Sequence, residues 1–122
     1  MYKKILIATD GSPTAGKAVA TGASLAKSVG AGLLLLHVGE PADGKTVLED
    51  ASGRAAGVKG LQTKSVSGDP ADMICDVAES EGADLIVVGN KGMTGAKRFL
   101  LGSVPNQVSH HAPCNVLIVK TT

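Results

Sequence analysis

Residues Leu85 to Ser103, with the sequence LIVVGNKGMTGAKRFLLGS, carry the strongest fold signal in the chain. This stretch begins with four consecutive apolar residues, continues through a glycine-rich basic loop and closes on Gly102 and Ser103. A continuous apolar run, unlike an alternating one, is typical of a strand in a parallel sheet that is covered on both faces. The stretch therefore predicts a buried parallel strand that leads through a loop into a helix.

Similar signals recur along the rest of the chain. Further strands are predicted at Lys4–Thr9, Leu33–Val38, Val116–Val119 and, as a polar edge strand, Leu61–Ser67. Helices are predicted from the Ser12 cap and Pro13 to Gly30, over Lys45–Ala56, from Asp69 and Pro70 to Gly82, and from Ser103 to just before Pro113. The alternation of strands and helices predicts a doubly wound parallel α/β sheet with helices on both faces.

Helical spacing also predicts which side chains face the core. The first helix is expected to bury Ala15, Ala18, Val19, Gly22, Ala26 and Val29. The third is expected to bury Ile74, Val77 and Ala78, and the last to place Val104, Val108 and His111 on one face.

Composition narrows the class of protein. A chain of 122 residues fits one domain, which we expect to span residues 1–122. It has no apolar run of membrane-spanning length and its first residues do not resemble a signal peptide, so we expect a cytoplasmic protein with no membrane contact. Cys75 and Cys114 are expected to be reduced and buried. Tyr2 and Phe99 are the only aromatic residues, which excludes base stacking and predicts no nucleic-acid partner.

The glycine-rich loop has the composition of an anion site. Several glycines let backbone N–H groups approach one point, and the helix predicted to follow would present its N-terminus to a negative group. After Asp84 the sequence contains no acid, whereas Lys91, Lys97, Arg98 and Lys120 are all basic. The alternative is that the glycines only form turns and the cations a solvated face. Neither the P-loop pattern nor the G-x-G-x-x-G pattern is present.

The spacing that is present, G-x2-G-x9-G-S from Gly89 to Ser103, resembles the ATP-binding signature of the universal stress protein family. The resemblance covers nearly the whole chain, through KKILIATDGS, GDPADMI, GADLIVVGNKG, LLGSV and HAPCNVLIVK. It implies a five-stranded parallel sheet in the order 3-2-1-4-5. It also implies a homodimer formed through the last strand, with Val116, Leu117, Ile118 and Val119 at the interface, and ATP or a related adenine nucleotide as ligand.

The same resemblance implies a set of binding residues. Asp10, with the backbone of Ala8 and Thr9, would face the adenine and ribose, and Val38 would add adenine contacts. The residues around ribose and phosphates would be Gly89, Gly92, Gly102, Ser103 and Val104. Lys91 and Lys97 occupy variable positions of the signature, so their contact with phosphate is inferred from charge alone. Any Mg²⁺ would be held by the phosphates, and no metal ligand or catalytic residue is assigned to a protein side chain.

Several alternatives stay open at this point. The chain could be a slow ATPase, or a module that binds AMP, cyclic AMP or no nucleotide. Asp10 could simply cap the turn that follows the first strand. The ATDGS segment also resembles the opening of haloacid-dehalogenase phosphatases, but Ala8 stands where their nucleophilic carboxylate would be. His37 is expected to be a packed, hydrogen-bonded core histidine, and His110 and His111 point apart on a helix. The segment between the second strand and the GDP turn is shorter than in many members of the family.

Overall fold

The computed structural model describes residues 1–90 and 101–121. Along the chain the elements are β1 (Lys4–Ala8), α1 (Pro13–Val29), β2 (Gly32–Val38), α2 (Pro41–Arg54), β3 (Leu61–Val66), α3 (Pro70–Glu81), β4 (Leu85–Gly89), α4 (Ser103–His111) and β5 (Asn115–Val119). The five strands are parallel and lie in the order β3-β2-β1-β4-β5. The predicted fold class and strand order are confirmed, and each predicted strand lies within one residue of the observed boundaries.

The three central strands are apolar on both faces because the sheet separates two cores. Ile5 and Ile7 pack with α1 and α2 on one face, whereas Leu6 packs with α3 and α4 on the other. All three side chains are fully buried. At about 1.5–3 kcal/mol per buried aliphatic side chain, these runs are the main source of stability for the sheet. No helix in the described residues is long and apolar enough to cross a membrane.

The caps of α1 and α3 form as the sequence predicts. Ser12 Oγ accepts a hydrogen bond from the Ala15 amide at 3.2 Å, and a side-chain oxygen of Asp69 accepts one from the Asp72 amide at 3.1 Å. Each capping residue is followed by a proline at the first helical position, where the missing N–H costs nothing. Both helices end at a glycine in the left-handed conformation, as predicted.

The buried faces of the helices match the predictions except at three positions. In α1, Ala15 and Val29 are only half-buried, and Gly16 and Ala23 are buried in their place. In α4, Val104 and Val108 are buried but His111 is exposed. Ala15 and Val29 lie near the two ends of α1 and His111 is the last residue of α4, so these errors fall at helix ends. The burial of Ile74, Val77 and Ala78 in α3 is confirmed.

The second helix starts earlier than predicted, at Pro41 and not at Lys45. The glycines that weakened the sequence signal include Gly44, which is buried where α2 crosses β3. A Cβ atom at Gly44 would overlap the Ser65 side chain and lie 3.1 Å from His37 Nδ1. Gly44 therefore lowers helix propensity but allows α2 to pack closely on the sheet, and this tertiary contact is not visible in the sequence.

The remaining core predictions concern polar and sulfur side chains. His37 is 4% exposed and its Nδ1 shares a hydrogen bond of 3.2 Å with Ser65 Oγ, so its prediction as a packed histidine is confirmed. Cys75 and Cys114 are free thiols, as expected, but they are half-buried and not fully buried. Partial burial raises the pKa of both thiols, and nearby carboxylates act in the same direction.

Candidate functional site

The strand order creates a crevice at the carboxyl ends of β1 and β4. These two strands are neighbours, yet the helices that follow them, α1 and α4, cover opposite faces of the sheet. The polypeptide therefore leaves the sheet in opposite directions at this point, which is the usual ligand position in an open α/β sheet. Continuing the register that pairs Ile7 with Val87 places Thr9 and Gly89 at the same level.

One wall of the crevice, which we call the β1 wall, consists of residues 9–12. Thr9 is 2% exposed, and its Oγ1 accepts a hydrogen bond from the Gly11 amide at 3.2 Å. Asp10 Oδ1 accepts one from the Ser12 amide at 2.9 Å. Asp10 therefore does cap the turn, as one of the two sequence interpretations expected. A carboxylate has further acceptor capacity, so this bond leaves room for a second partner.

Gly11 gives the β1 wall its shape. Its φ of 83° is a conformation that side-chain-bearing residues rarely adopt. A Cβ atom there would also lie 2.8 Å from Val47 Cγ2, because α2 comes close to the loop at this point. Val47 was not predicted at the edge of the crevice, because its segment carries only a weak helix signal.

Ala8 and Val38 contribute little surface to the crevice. Their exposed fractions are 6% and 5%, and both side chains pack in the core under α3 and α4. What the end of β1 presents to a ligand is consequently backbone, together with the polar atoms of Thr9 and Asp10.

The opposite wall, which we call the β4 wall, consists of Gly89, Asn90 and residues 102–104. Gly102 is buried, and its amide donates a hydrogen bond of 2.9 Å to the Asn90 carbonyl. Its own carbonyl accepts the first helical bond, from the Asn106 amide at 3.0 Å. Ser103 begins α4 at an exposed position, and Val104 is 7% exposed beneath it.

The first turn of α4 has an unusual set of donors. Pro105 occupies its third position and carries no N–H, while the Gly102 amide is bonded to Asn90. Ser103 and Val104 carry the backbone N–H groups at the first two positions of α4. The Gly102 amide is engaged within the protein, where it ties the start of α4 to the end of β4.

Three predicted site residues, Lys91, Gly92 and Lys97, lie outside the described residues, as do the other glycines and cations of residues 91–100. The described parts of the chain hold no cluster of three or more His, Cys, Asp or Glu side chains that could bind a metal ion.

Two residues that sequence reasoning missed hold the β4 wall in place. The backbone N–H and the hydroxyl of Thr121 both donate to Asn90 Oδ1 at 2.9 Å. Asn90 fell inside the glycine signature at a variable position, and Thr121 lay beyond the last strand. No local pattern connected the two, because they meet only when β4 and β5 pair.

Comparison with known proteins places this geometry in a family. A sequence profile described as "Universal stress protein family" matches residues 1–53 and 40–120. The universal stress protein YxiE of Bacillus subtilis is 36% identical, with 98% of this chain and 100% of that protein aligned. The alignment occupies 149 positions, more than the 122 residues of this chain, so YxiE carries segments that this chain lacks. The two profile matches meet at residues 40–53, in the region predicted to be shortened.

Solved structures similar to this chain include two nucleotide complexes. One is a universal stress protein in complex with cAMP, which is 35% identical and superposes with a TM-score of 0.88 over 99% of this chain and 98% of that chain. Another is the universal stress protein from Archaeoglobus fulgidus in complex with dAMP, with 25% identity and a TM-score of 0.75 over 98% of both chains.

Proposed function

This chain belongs to the universal stress protein family, and we propose that it binds an adenine nucleotide, ATP in particular, in the crevice between the β1 and β4 walls. The observation that carries the proposal is the position of the Gly102–Ser103 helix start. It lies across the switch point from the end of β1, so one ligand can reach a helix N-terminus and a carboxylate at the same time.

In this proposal the β1 wall binds the nucleoside. Asp10 accepts a hydrogen bond from a ribose hydroxyl with the capacity left after its bond to Ser12. The backbone of Ala8 and Thr9 lines the adenine, and the small exposed fraction of Val38 closes the pocket behind it.

The β4 wall binds the phosphates. The amides of Ser103 and Val104 and the Ser103 hydroxyl are the described donors. Gly89 and Gly102 keep the approach free of side chains. In our proposal Gly92 completes the glycine signature, and Lys91 and Lys97 add positive charge at the phosphates; all three lie outside the described residues. Mg²⁺, where it accompanies ATP, is held by the phosphates.

A second candidate ligand is an adenosine monophosphate, either AMP or its cyclic form. The specific observation in its favour is that related proteins were solved with cAMP and with dAMP. Pro105 also limits the first turn of α4 to two amides, which suits one phosphate group as well as three.

We assign binding in preference to catalysis. Phosphoryl transfer needs a positioned base and charged groups around the transferred phosphate. Ala8 takes the position of a phosphatase nucleophile, and the bond from the Ser12 amide to Asp10 Oδ1 gives Asp10 a structural role. Slow hydrolysis of ATP is the competing function and is decided by the same experiment.

That experiment is isothermal titration calorimetry of the purified protein with ATP, AMP and cyclic AMP, followed by chromatography of the nucleotides recovered from each cell. We expect ATP to bind and to be recovered intact. Recovery of ADP in proportion to protein and time would favour the slow ATPase. Absence of heat and of equilibrium-dialysis retention for all three nucleotides would refute the nucleotide site.

We further propose that two copies pair through β5. This strand is the sheet edge, and its residues 116–119 are only half-buried in the single chain. Beside it lies an open groove of about 350 Å³ that is lined by Tyr2, Leu25, Leu85, Asn115, Val116 and Leu117. An apolar edge strand with open backbone groups is a strong pairing surface.

Light scattering at micromolar concentration tests this pairing. We expect a dimer for the unmodified protein and a monomer for Ile118→Lys. Gln62→Lys, on the polar edge strand β3, is the matched control and should stay dimeric. A monomeric unmodified protein would contradict the proposal.

A further inference from the structure

Asn90 makes four hydrogen bonds in the β4 wall. Its backbone N–H donates to the Val119 carbonyl and its own carbonyl accepts the Gly102 N–H, both at 2.9 Å. Its side-chain oxygen accepts both the amide and the hydroxyl of Thr121, again at 2.9 Å. One residue thus joins the end of β4, the end of β5 and the residue that caps α4.

Thr121 is held from other sides as well. Its side chain is 2% exposed, and its carbonyl accepts a hydrogen bond from Lys17 Nζ at 3.1 Å. Gly89 makes space for it, because a Cβ atom at Gly89 would lie 3.3 Å from Thr121 Cγ2, closer than ordinary van der Waals contact. The segment after β5 is therefore fixed on the end of β4, and the glycine that begins the signature has a structural use there.

We propose that Asn90 is a positioning residue for the phosphate end of the crevice and that it acts through Thr121. The inference rests on the proposed nucleotide function, and it adds a residue pair that the glycine signature does not contain. Thr121 fixes the Asn90 side chain, and the fixed Asn90 backbone holds the Gly102 amide and with it the direction of the first turn of α4.

The physical reason is the burial of the hydroxyl and amide of Thr121. When Asn90 Oδ1 is removed, both donors lose their acceptor in a site that water reaches poorly, so the segment must move to satisfy them. Because the Asn90 carbonyl is also the acceptor for Gly102, this movement is transmitted to residues 102–104. The end of β1 has its own hydrogen bonds, from the Gly11 amide to Thr9 Oγ1 and from the Ser12 amide to Asp10 Oδ1, and should not be affected.

The test measures the affinities of ATP and of adenosine for the full chain by calorimetry. Asn90→Ala should weaken ATP binding roughly tenfold and leave adenosine binding unchanged, because only ATP uses the phosphate end. Thr121→Val, which keeps the amide bond to Asn90 but removes the hydroxyl bond, should weaken ATP binding about threefold. Thr121→Ser should restore the affinity of the unmodified protein.

Two matched variants control for the loss of a polar side chain elsewhere. Gln62→Ala and Thr63→Val alter two exposed polar side chains on β3, the sheet edge opposite β5. Both should bind ATP as the unmodified protein does. In the double variant Asn90→Ala/Thr121→Val, the loss should equal that of Asn90→Ala alone, because the two residues act as one unit.

The outcomes separate this inference from the proposed function. If the unmodified protein binds neither ATP nor adenosine, the nucleotide function fails and the inference fails with it. If it binds ATP and Asn90→Ala binds equally well, only the positioning role is refuted. An equal loss of ATP and adenosine affinity in Asn90→Ala, or additive losses in the double variant, would also refute it.

Discussion

The two walls of the crevice are built in different ways. The β1 wall is closed by hydrogen bonds between residues two positions apart, from Gly11 to Thr9 and from Ser12 to Asp10. The β4 wall is closed by hydrogen bonds between residues that are far apart in the sequence. The Gly102 amide donates to the Asn90 carbonyl, and the amide and hydroxyl of Thr121 donate to the Asn90 side chain. The first wall forms as soon as the turn after β1 forms, whereas the second requires β5 to be in place.

This difference determines which half of the site responds to changes in other parts of the chain. A change in the segment after β5 reaches the β4 wall directly through Asn90, whereas on the other side its described hydrogen bond is from Lys17 on α1, beyond the β1 wall. If β5 is also the dimer edge, as we propose, then phosphate binding and pairing share residues that nucleoside binding does not use.

The largest effect is expected for Gly102→Val at the β4 wall. Gly102 is buried with φ −60° and ψ 158°, a backbone conformation that valine also adopts, so the fold should be kept. The added side chain would occupy the approach to the first turn of α4, and we expect ATP affinity to fall by more than about a hundredfold. Calorimetry measures the affinity and circular dichroism verifies the fold.

Gly53→Val is the matched control for that variant. A Cβ atom at Gly53 meets nothing within 4 Å, and the position lies on α2 away from the β4 wall. It should bind ATP normally. Unchanged ATP affinity in Gly102→Val would remove the β4 wall from the site.

The next effect concerns Ser103→Ala, which tests the charge-assisted hydrogen bond to phosphate. We expect a loss of about 1.5–3 kcal/mol in ATP binding. Ser109→Ala, on the same helix, removes a 2.7 Å bond to the Asn106 carbonyl and should leave binding unchanged. A Ser103→Ala variant that binds ATP normally but no longer hydrolyses it would mean that the hydroxyl serves a reaction.

The same contrast explains what could be predicted from sequence. The β1 wall was predictable because Asp10, Gly11 and Ser12 are adjacent, and turn chemistry depends on neighbours. The strand order was implied by the resemblance of several motifs, taken in their order along the chain, to the universal stress protein family. The roles of Asn90 and Thr121 were not predictable, because a contact across 31 positions leaves no periodic signal. Gly44 shows the same limit. Its missing side chain makes room for Ser65, a tertiary effect, whereas its local effect is to lower helix propensity.

A smaller effect is expected at the β1 wall, where Asp10 has two possible roles. Asp10→Ala removes the acceptor for the Ser12 amide and should lower the free energy of unfolding by about 0.5–2 kcal/mol. It should also weaken ATP binding roughly fivefold by losing the ribose contact. Asp10→Asn keeps an acceptor for Ser12, so we expect normal stability and the same fivefold loss of affinity. Normal ATP binding by Asp10→Asn would leave Asp10 with the capping role alone.

The smallest effect is expected away from both walls, where Glu81 at the end of α3 accepts a hydrogen bond from Lys4 Nζ at 3.2 Å and lies 3.7 Å from Lys64 Nζ. The hydrogen bond from Lys4 lowers the pKa of Glu81 below its usual value of 4.5, with the charges of Lys4 and Lys64 acting in the same direction. Because the pKa is lower in the folded state, the resulting stability is fully present above pH 4.5 and is lost as the pH falls through the folded value.

Half-exposed ion pairs contribute little, so Glu81→Gln should lower the melting temperature by only about one or two degrees at pH 7 and by less in acid. Glu79→Gln, at an exposed position of the same helix, should have the melting temperature of the unmodified protein at pH 7 and in acid. An equal fall in the melting temperature of Glu81→Gln at pH 7 and in acid would show that the lysines do not stabilise the carboxylate.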